Sequence, residues 1–266
     1  MSQYGNGPGG QWNAPPPARK PPYVLIAVVA VVVIAVIVGI VVVVLRANDD
    51  DSSKADATTT SAARSSSAQT ADEPIDCSYK VGSERAAKPV DPPPAEYAGD
   101  PEKQATISTN QGDIGLTLDA EKAPCTVNSF ISLAEQGYFD DTACHRLTTA
   151  ASLKVLQCGD PLGTGTGGPG YTFQDEYPVN ESSSTRLYKR GVLAMANAGP
   201  GTNGSQFFLV YDDSQLSPDY TIFGTIDSEG LTVLDDIAAA GVEAGGQGGG
   251  DGPPAEKVEI TSVKVE

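Results

Sequence analysis

His145 and Arg146 are the residues of this sequence best suited to chemistry, and they are adjacent in the stretch CHRL, residues 144–147. The chain has a single histidine, so any reaction that needs an imidazole must use His145. A Ser-His-Asp hydrolase also needs a nucleophile on a sharp turn, such as G-x-S-x-G, and the sequence lacks this motif. Cys144 precedes His145, but neighbours on a strand point to opposite faces and cannot form a nucleophile and base pair. Hydrolysis is therefore disfavoured.

Metal and phosphate chemistry also fit the sequence poorly. Cys125, Cys144 and Cys158 lack the short C-x2-C spacing of a zinc site. The stretch GTGTGGPGY, residues 163–171, lacks the Lys-Ser/Thr ending of a phosphate loop and does not lead into a helix, so we interpret it as a glycine-rich loop beside a site. The stretch GGQGGGDGPP, residues 245–254, is interpreted as a flexible loop. We expect no metal and no organic cofactor.

The run LAMANAGPGTNGSQFFLVY, residues 193–211, combines small residues, glycines, an amide and an aromatic pair. Its first part alternates as a strand does, and residues 207–211 have the composition of a second strand. The residues between them offer turn chemistry at nearly every position, so the backbone can approach a ligand without obstruction from Cβ atoms. We predict that a ligand lies against this run.

The elements that must position these residues are mostly short strands, beginning near Glu102. The segments around NQGD, residues 110–113, predict a β-hairpin with Gly112 in its turn. Apolar residues at i, i+3, i+4 and i+7 from Val127 predict an amphipathic helix that has Pro124 in its first turn and ends at Gly137.

A second helix is predicted over residues 231–240, and a last strand over residues 257–266 with a bulge at Ser262. Further strands are predicted at residues 143–148, 153–158, 191–197, 205–211 and 220–226. Many strands, two helices and no βαβ alternation predict a mainly-β fold, a closed antiparallel barrel capped by the helices.

The region before this domain divides into three parts. Residues 1–22 are rich in Gly and Pro and predict a disordered tail. Residues 23–45 carry no charge and are long enough to cross the hydrocarbon core, about 30 Å thick, as a transmembrane helix. Residues 46–100 have the composition of a linker, although the stretch around Cys77 could be tied to the folded domain, residues 101–266.

The flanks of the apolar stretch predict its orientation. Arg19 and Lys20 precede it, whereas three aspartates, Asp49 to Asp51, follow it without a small-residue cleavage site. We therefore predict an uncleaved single-pass anchor in the plasma membrane, with a cytoplasmic N-terminus and an extracytoplasmic catalytic domain. Residues 101–266 carry nine basic and 23 acidic side chains, a balance that repels phosphate backbones and excludes nucleic acid as a partner.

The four cysteines, Cys77, Cys125, Cys144 and Cys158, form an even set in a compartment expected to be oxidising. Four cysteines allow three pairings, and the sequence does not choose among them. Because three lie within the barrel motifs and Cys77 lies in the linker, one hypothesis is a bridge that ties the linker to the barrel. The alternative is a set of buried free thiols.

Four stretches together resemble the cyclophilin family of peptidyl-prolyl cis/trans isomerases: CHRL, LQCGDPLGTGTGGPGYTFQDEY, GVLAMANAGPGTNGSQFFLVY and YTIFGTI. The resemblance runs from about residue 103 to the C-terminus and includes the helix APCTVNSFISLA. It implies an eight-stranded closed barrel, isomerase activity on Xaa-Pro bonds and no cofactor.

The resemblance also implies a role for each matching residue. Arg146 would be the catalytic residue, stabilising a twisted amide whose carbonyl and nitrogen no longer share electrons. Phe208, helped by Leu216, would form the floor of a pocket for the proline ring. Gln157 and Gln206 would bond the substrate backbone and orient the arginine. The other substrate-binding residues would be His145, Val155, Gly165, Tyr220 and the three residues that pair with the peptide as an added strand, Ala196, Asn197 and Ala198.

The sequence departs from the family pattern in the wall of this pocket. Between Arg146 and Gln157 the chain is three residues longer than in the family, where a Phe-Met pair precedes the glutamine. Lys154 and Val155 occupy those positions, although Leu153 could take the apolar role. We therefore expect a looser pocket.

Two further departures lie at the rim of the pocket. Gln215 replaces the family's tryptophan, and Tyr220 replaces its histidine. Since the indole would supply a hydrogen-bond donor and a large apolar surface, we expect cyclosporin binding to be possible but weakened.

We predict a peptidyl-prolyl isomerase that acts on proline-containing segments of exported or cell-envelope proteins. The alternative is a proline-peptide binding module or chaperone with little turnover. Retention of Arg146, Gln157, Gln206 and Phe208 favours the enzyme, and the altered pocket wall favours the binding module.

Overall fold

The structure is a computed structural model that describes residues 74–179, 187–243 and 250–266. The predicted tail (1–22), the predicted membrane helix (23–45) and the linker up to residue 73 lie outside the described residues. Within the described ranges, no helix is both long and apolar enough to cross a membrane.

The described residues form fourteen strands and two helices. The strands, numbered along the chain, are β1 (Ile75–Asp76), β2 (Lys80–Val81), β3 (Glu96–Tyr97), β4 (Glu102–Thr109), β5 (Gly112–Asp119), β6 (Thr142–Ala143), β7 (Arg146–Thr148), β8 (Val155–Cys158), β9 (Tyr171–Thr172), β10 (Val192–Met195), β11 (Phe207–Val210), β12 (Ile222–Ile226), β13 (Asp251–Gly252) and β14 (Glu259–Val265). The helices are α1 (Pro124–Glu135) and α2 (Ser228–Ala240). The predicted mainly-β class with two helices is confirmed.

Ten strands form one antiparallel sheet in the order β13-β7-β8-β11-β10-β12-β5-β4-β14-β6. Only Cys144 and His145 separate β6, at one edge, from β7, near the other, so the sheet must curl until its edges approach. The Cys144 N–H donates a hydrogen bond to the Val258 carbonyl, and the His145 N–H donates one to the Gln157 carbonyl. The two edge regions of the sheet are therefore connected by the covalent chain at these two residues. No ladder joins the edge strands of the described sheet, and the prediction of a closed eight-stranded barrel is therefore wrong.

The β4–β5 hairpin follows from its alternating pattern. Ile114, Leu116 and Leu118 point to the core and are at most 2% exposed, while the residues between them face outward. The turn is completed by Gly112 at φ 136°, a conformation open to glycine because it has no Cβ. The predicted bulge in the last strand is also confirmed, since the β14 register shifts between Ile260 and Ser262.

Helix α1 packs its apolar stripe into the core. Phe130 lies with its ring centroid 5.2 Å from Phe139 and 5.6 Å from Phe207. The helix starts at Pro124, which has no N–H to leave unpaired. No local side chain caps it; instead the half-buried Glu176 carboxylate accepts hydrogen bonds from the N–H groups of Cys125 (3.0 Å) and Thr126 (2.8 Å).

Helix α2 begins at Ser228, three residues before the predicted start. The reason is a cap: the Asp227 carboxylate accepts a hydrogen bond of 2.7 Å from the Gly230 N–H. The predicted strand over residues 143–148 is likewise divided into β6 and β7, because the chain there changes its pairing partners.

Residues 74–100, which we call the N-terminal segment, are attached to the sheet domain. Strand β1 pairs with β3 within the segment, whereas β2 pairs with β9 of the domain and a disulfide joins Cys77 to Cys125. The hydroxyl of Tyr79 donates a 2.8 Å hydrogen bond to the Cys125 carbonyl. The hypothesis of a bridge between Cys77 and the barrel is confirmed, and the second disulfide joins Cys144 to Cys158. All four cysteines are paired, so the alternative of free thiols is wrong.

Candidate active site

Arg146 is held on two sides by hydrogen bonds. Its Nε and Nη2 donate to the two carboxylate oxygens of Asp251 at 2.8 and 2.7 Å. Its Nη1 donates to Oε1 of Gln157 at 3.3 Å. The Asp251 carboxylate raises the pKa of the Arg146 guanidinium, mainly by accepting hydrogen bonds from it. Arg146 therefore stays charged. About 39% of the arginine side chain remains exposed, which leaves it open to a ligand.

The amides predicted to orient the arginine form a chain leading away from it. The amide of Gln157 donates to Oε1 of Gln206 at 2.9 Å, and the amide of Gln206 donates to the Gly167 carbonyl at 3.0 Å. The structure therefore places Gln157 beside Arg146, and Gln206 contacts the arginine only through Gln157.

Asp251 is a site residue that the sequence analysis missed, because the stretch 245–254 was interpreted as a flexible loop. Its residues 251–252 instead form β13, which pairs with β7 so that Asp251 lies opposite Thr148. The Thr149 N–H donates to the Gly250 carbonyl at 2.7 Å, and Gly250 adopts φ 82°. A Cβ at Gly250 would lie 2.2 Å from Oγ1 of Thr149, so the glycine lets the loop approach β7 closely. In the sequence, the signal that could have identified Asp251 is a single acidic residue in a glycine-rich stretch.

Phe208 belongs to the same row of the sheet as the arginine. Arg146 lies opposite Gln157, Gln157 opposite Phe208, and Phe208 opposite Ala194 on successive strands. Residues in register on neighbouring strands point to the same face, so the row places the guanidinium, the amide and the aromatic ring on one face. Phe208 packs apart from the main core.

An apolar cluster surrounds Phe208. Val155 is buried beside it, and Leu153, Leu216 and Tyr220 pack against this cluster while partly exposed. The Tyr220 ring meets Phe208 edge-on, with centroids 5.7 Å apart. Tyr220 can thus cover a bound ring, as expected for the residue that replaces the family's histidine.

Tyr188 is a second residue that the sequence analysis missed. It is fully buried and packs against both Phe208 and Tyr220. Its hydroxyl donates to the Tyr220 carbonyl at 2.8 Å and accepts from the Tyr220 N–H at 3.1 Å. Tyr188 therefore fixes the position of the covering ring.

The three-residue insertion leaves the pocket wall apolar. Residues 150–153 form a tight turn, and the Lys154 ammonium pairs with the Asp212 carboxylate instead of facing Phe208. Leu153 takes the apolar position, as the sequence analysis allowed. The altered wall thus gives little support to the binding-module alternative.

The segment predicted to pair with a peptide has a free backbone position. The N–H of Ala196 donates to the Gln206 carbonyl, and that of Ala198 donates to Oγ1 of Thr202. Between them, neither the N–H nor the C=O of Asn197 makes a hydrogen bond within the described residues. The Asn197 side-chain amide is fixed instead by the Asp219 carbonyl at 2.7 Å. This edge can accept one residue of an extended peptide.

The glycine loop, residues 163–170, is organised by Asp160 and not by a phosphate. The buried Asp160 carboxylate accepts hydrogen bonds from the N–H groups of Leu162, Thr164, Gly165 and Thr166. Burial alone would raise the pKa of this carboxyl, but the backbone donors outweigh it and lower the pKa. These four N–H groups are thus occupied, and Gly165 is exposed to solvent.

His145 lies under this loop. A Cβ at Gly165 would be 3.5 Å from the imidazole, and neither ring nitrogen has a hydrogen-bond partner within the described residues. Burial lowers the pKa of His145, and Arg146 lowers it further against the opposing effect of Asp160. His145 is therefore a neutral packing neighbour of the site, and direct contact with substrate stays a prediction.

Because folding favours neutral His145, the stabilisation is complete above its ordinary pKa of about 6.5 and is lost as the pH falls from there. We expect the free energy of unfolding of the wild type to decrease between pH 6.5 and 5 more than that of His145→Gln. Chemical denaturation across this range measures both. Parallel curves for the two proteins would show that the ring titrates normally.

These features together define a class of protein: an open, curled antiparallel sheet that presents a charged guanidinium and an apolar cluster on one face, next to a strand end with an unpaired backbone position at Asn197. Residues 104–265 match the family model described as cyclophilin type peptidyl-prolyl cis-trans isomerase. The chain belongs to this family and is an isomerase of that type.

Similar proteins agree with this assignment. The chain is 54% identical over 201 residues to a probable peptidyl-prolyl cis-trans isomerase B of Mycobacterium leprae, covering 72% of this chain and 67% of the relative. It is 54% identical over 199 residues to a protein of the same description from Mycobacterium tuberculosis, covering 71% and 64%. It is 44% identical over 179 residues to the isomerase B of Streptomyces anulatus, covering 61% and 95%.

Among solved structures, a cyclophilin type isomerase of Cryptosporidium parvum is similar, with a TM-score of 0.51 and 31% identity, covering 62% of this chain and 98% of that one. The chain therefore spans about two thirds of the length of the mycobacterial relatives and nearly all of the shorter ones.

Proposed function

We propose that this isomerase acts on Xaa-Pro bonds of exported or cell-envelope proteins from the outer face of a plasma membrane. In this proposal residues 23–45 are an uncleaved anchor and residues 1–22 stay in the cytoplasm. Two disulfides support an extracytoplasmic site, because a reducing cytosol disfavours such bonds. The uncharged apolar stretch and its basic N-terminal flank support the anchor.

The observation that supports the mechanism is a hydrogen-bonded guanidinium on the same face of the sheet as the apolar cluster around Phe208. Rotation about a peptide bond must break amide conjugation, a barrier of about 18–20 kcal/mol. Three of the five N–H donors of Arg146 bond Asp251 and Gln157, which leaves two for the carbonyl oxygen of the twisted amide. These donors lower the barrier if they bind the twisted amide better than either planar isomer.

The other residues position the client. The proline ring enters the pocket of Phe208, Val155 and Leu216 under Tyr220, where apolar contacts hold it during rotation. The adjoining client residue pairs with the backbone of Asn197. Substrate and arginine are thereby held in one geometry, which removes orientational entropy from the step.

Asp251 is expected to act as a positioning residue for Arg146. Replacing it with alanine removes two hydrogen bonds from the guanidinium, so we expect Asp251→Ala to lower kcat/KM about tenfold, mostly in kcat. Asp251→Asn, which keeps one acceptor, should recover part of the loss. A protease-coupled tetrapeptide assay measures these values.

Asp235→Ala is the matched control for this prediction, because Asp235 makes a similar two-bond pair with Arg190 outside the site. Equal losses in Asp251→Ala and Asp235→Ala would contradict a specific role for Asp251.

Gln215 is exposed at the rim, next to Leu216. We expect Gln215→Trp to tighten cyclosporin binding about tenfold, because an indole there restores a donor and a large apolar surface. Calorimetric titration measures the affinity, and Ser217→Trp, two residues away, is the control. Unchanged cyclosporin affinity in Gln215→Trp would show that residues other than Gln215 limit cyclosporin binding.

The location can be tested with the full chain in bacterial cells. We expect the chain in the membrane fraction, digestible by protease added to spheroplasts, and with four cysteines that maleimide does not label. Deletion of residues 23–45 should yield soluble chains with reactive thiols. Full-length chains protected from added protease, or labelled at all four cysteines, would overturn the proposed location.

A further inference from the structure

A cavity of about 840 Å³ adjoins the peptide edge of the site. Its lining includes Gln157, Gln206, residues 196–198 and part of the glycine loop. Residues 82–85 and Ala87 of the N-terminal segment also line it, and we call them the N-terminal wall of the cavity. A client chain lying on Asn197 has its neighbouring side chains beside this cavity.

Residues 82–87 are fixed at both ends. The Gly82 N–H donates to the Gly170 carbonyl at 2.9 Å, and the Ala87 N–H donates to the Gly168 carbonyl at 2.9 Å. Next to them, the Lys88 ammonium donates to the carbonyl of Gly137 at 2.6 Å. The disulfide from Cys77 attaches the preceding part of the segment to α1. The wall is therefore part of the folded domain.

The wall and the glycine loop are in close contact. A Cβ at Gly170 would lie 3.0 Å from the backbone nitrogen of Ala86, and a Cβ at Gly167 would lie 3.2 Å from the Cβ of Ala87. Glycine at these two positions thus lets residues 86–87 pack directly on the loop. This contact holds the wall against the glycine loop.

Among the described residues, the charged side chains that line the cavity lie in this wall. Of the described residues that line it, only Glu84 and Arg85 are charged, and both are exposed. Neither makes a salt bridge within the described part of the chain. Both charges are therefore available to a client side chain.

We propose that Glu84 and Arg85 are specificity-determining residues that select the charge of client side chains beside the proline. Arg85 favours an acidic side chain in the cavity, and Glu84 favours a basic one. This inference rests on the proposed peptide site at Asn197. The two residues lie before the region matched by the family model, residues 104–265, so the selection is a property of the N-terminal segment.

The test compares kcat/KM for proline peptides that carry Glu, Gln or Lys at each of three positions on either side of the proline. At one or more positions, Arg85→Gln should lower the Glu-to-Gln ratio about threefold, as expected for an exposed ion pair. Glu84→Gln should lower the Lys-to-Gln ratio by a similar factor. Both effects should shrink at 0.5 M salt.

Lys264→Gln and Glu256→Gln are matched controls, because both residues are exposed and neither lines the cavity. Ratios that are unchanged in Arg85→Gln and Glu84→Gln at every position would overturn the inference while the isomerase function stands. If the wild type does not turn over the uncharged peptide, the proposed function fails, and dissociation constants of the same peptides then give the ratios that decide the inference.

Discussion

Replacing Arg146 with alanine is expected to lower kcat/KM for a proline tetrapeptide at least a hundredfold, on the order of what loss of one preorganised electrostatic donor costs. The variant loses the two N–H donors that Asp251 and Gln157 leave free and that we propose for the twisted amide. The free energy of unfolding should change little, since ion pairs as exposed as that of Arg146 with Asp251 contribute weakly to stability. Protease-coupled kinetics and urea denaturation of the same samples measure both quantities.

Arg190→Ala is the control, because Arg190 has a similar exposure and a similar pair with Asp235 away from the site. Arg146→Lys keeps the charge but loses the planar fork of donors, so we expect it to recover only part of the activity. If Arg146→Ala kept activity within threefold of wild type, catalysis by the guanidinium would be ruled out. That result would favour the alternative of a proline-peptide binding module.

The second large effect is expected on stability. Replacing Cys77 and Cys125 together with serine removes a cross-link with a sequence separation of 48 residues. The chain-entropy relation for a loop of this length gives a loss of about 4 kcal/mol in the free energy of unfolding. Turnover of an uncharged peptide should stay within about twofold, because Arg146, Gln157 and Phe208 are held by the main sheet. Urea denaturation of oxidised wild type and variant measures the loss.

The disulfide between Cys144 and Cys158 is the matched comparison, with a sequence separation of 14 residues and an expected loss of about 3 kcal/mol. Because Cys144 lies beside His145 and Arg146, its double serine variant should also lose activity. Equal stability of the Cys77/Cys125 variant and the wild type would show that this cross-link does not stabilise the fold.

Local pattern accounts for the elements that the sequence predicts well. The β4–β5 hairpin and α1 are each specified within about fifteen residues, by alternation around Gly112 and by apolar spacing after Pro124. The early start of α2 at Ser228 was also local, since Asp227 is a cap residue, and the apolar spacing alone did not detect it.

For the candidate site, motif resemblance and tertiary structure supplied different residues. Motif resemblance placed Arg146, Gln157, Gln206 and Phe208, and the register across β7, β8 and β11 brings three of them into one row. The resemblance did not supply Asp251 or Tyr188. Their signal in the sequence is weak because an aspartate among glycines and a tyrosine near a loop have many possible environments.

By itself, the sequence determined the mainly-β class and most element positions, because these depend on short-range periodicity, while motif resemblance supplied candidate residues for the peptide site. Tertiary structure alone decided the open sheet, the pairing of Cys77 with Cys125, and the capping of α1 by Glu176 from 51 residues away. It also decided the contact of Arg146 with Asp251 across 105 residues. Such contacts depend on how distant segments pack after the chain has closed long loops, and no local pattern of side chains encodes that distance.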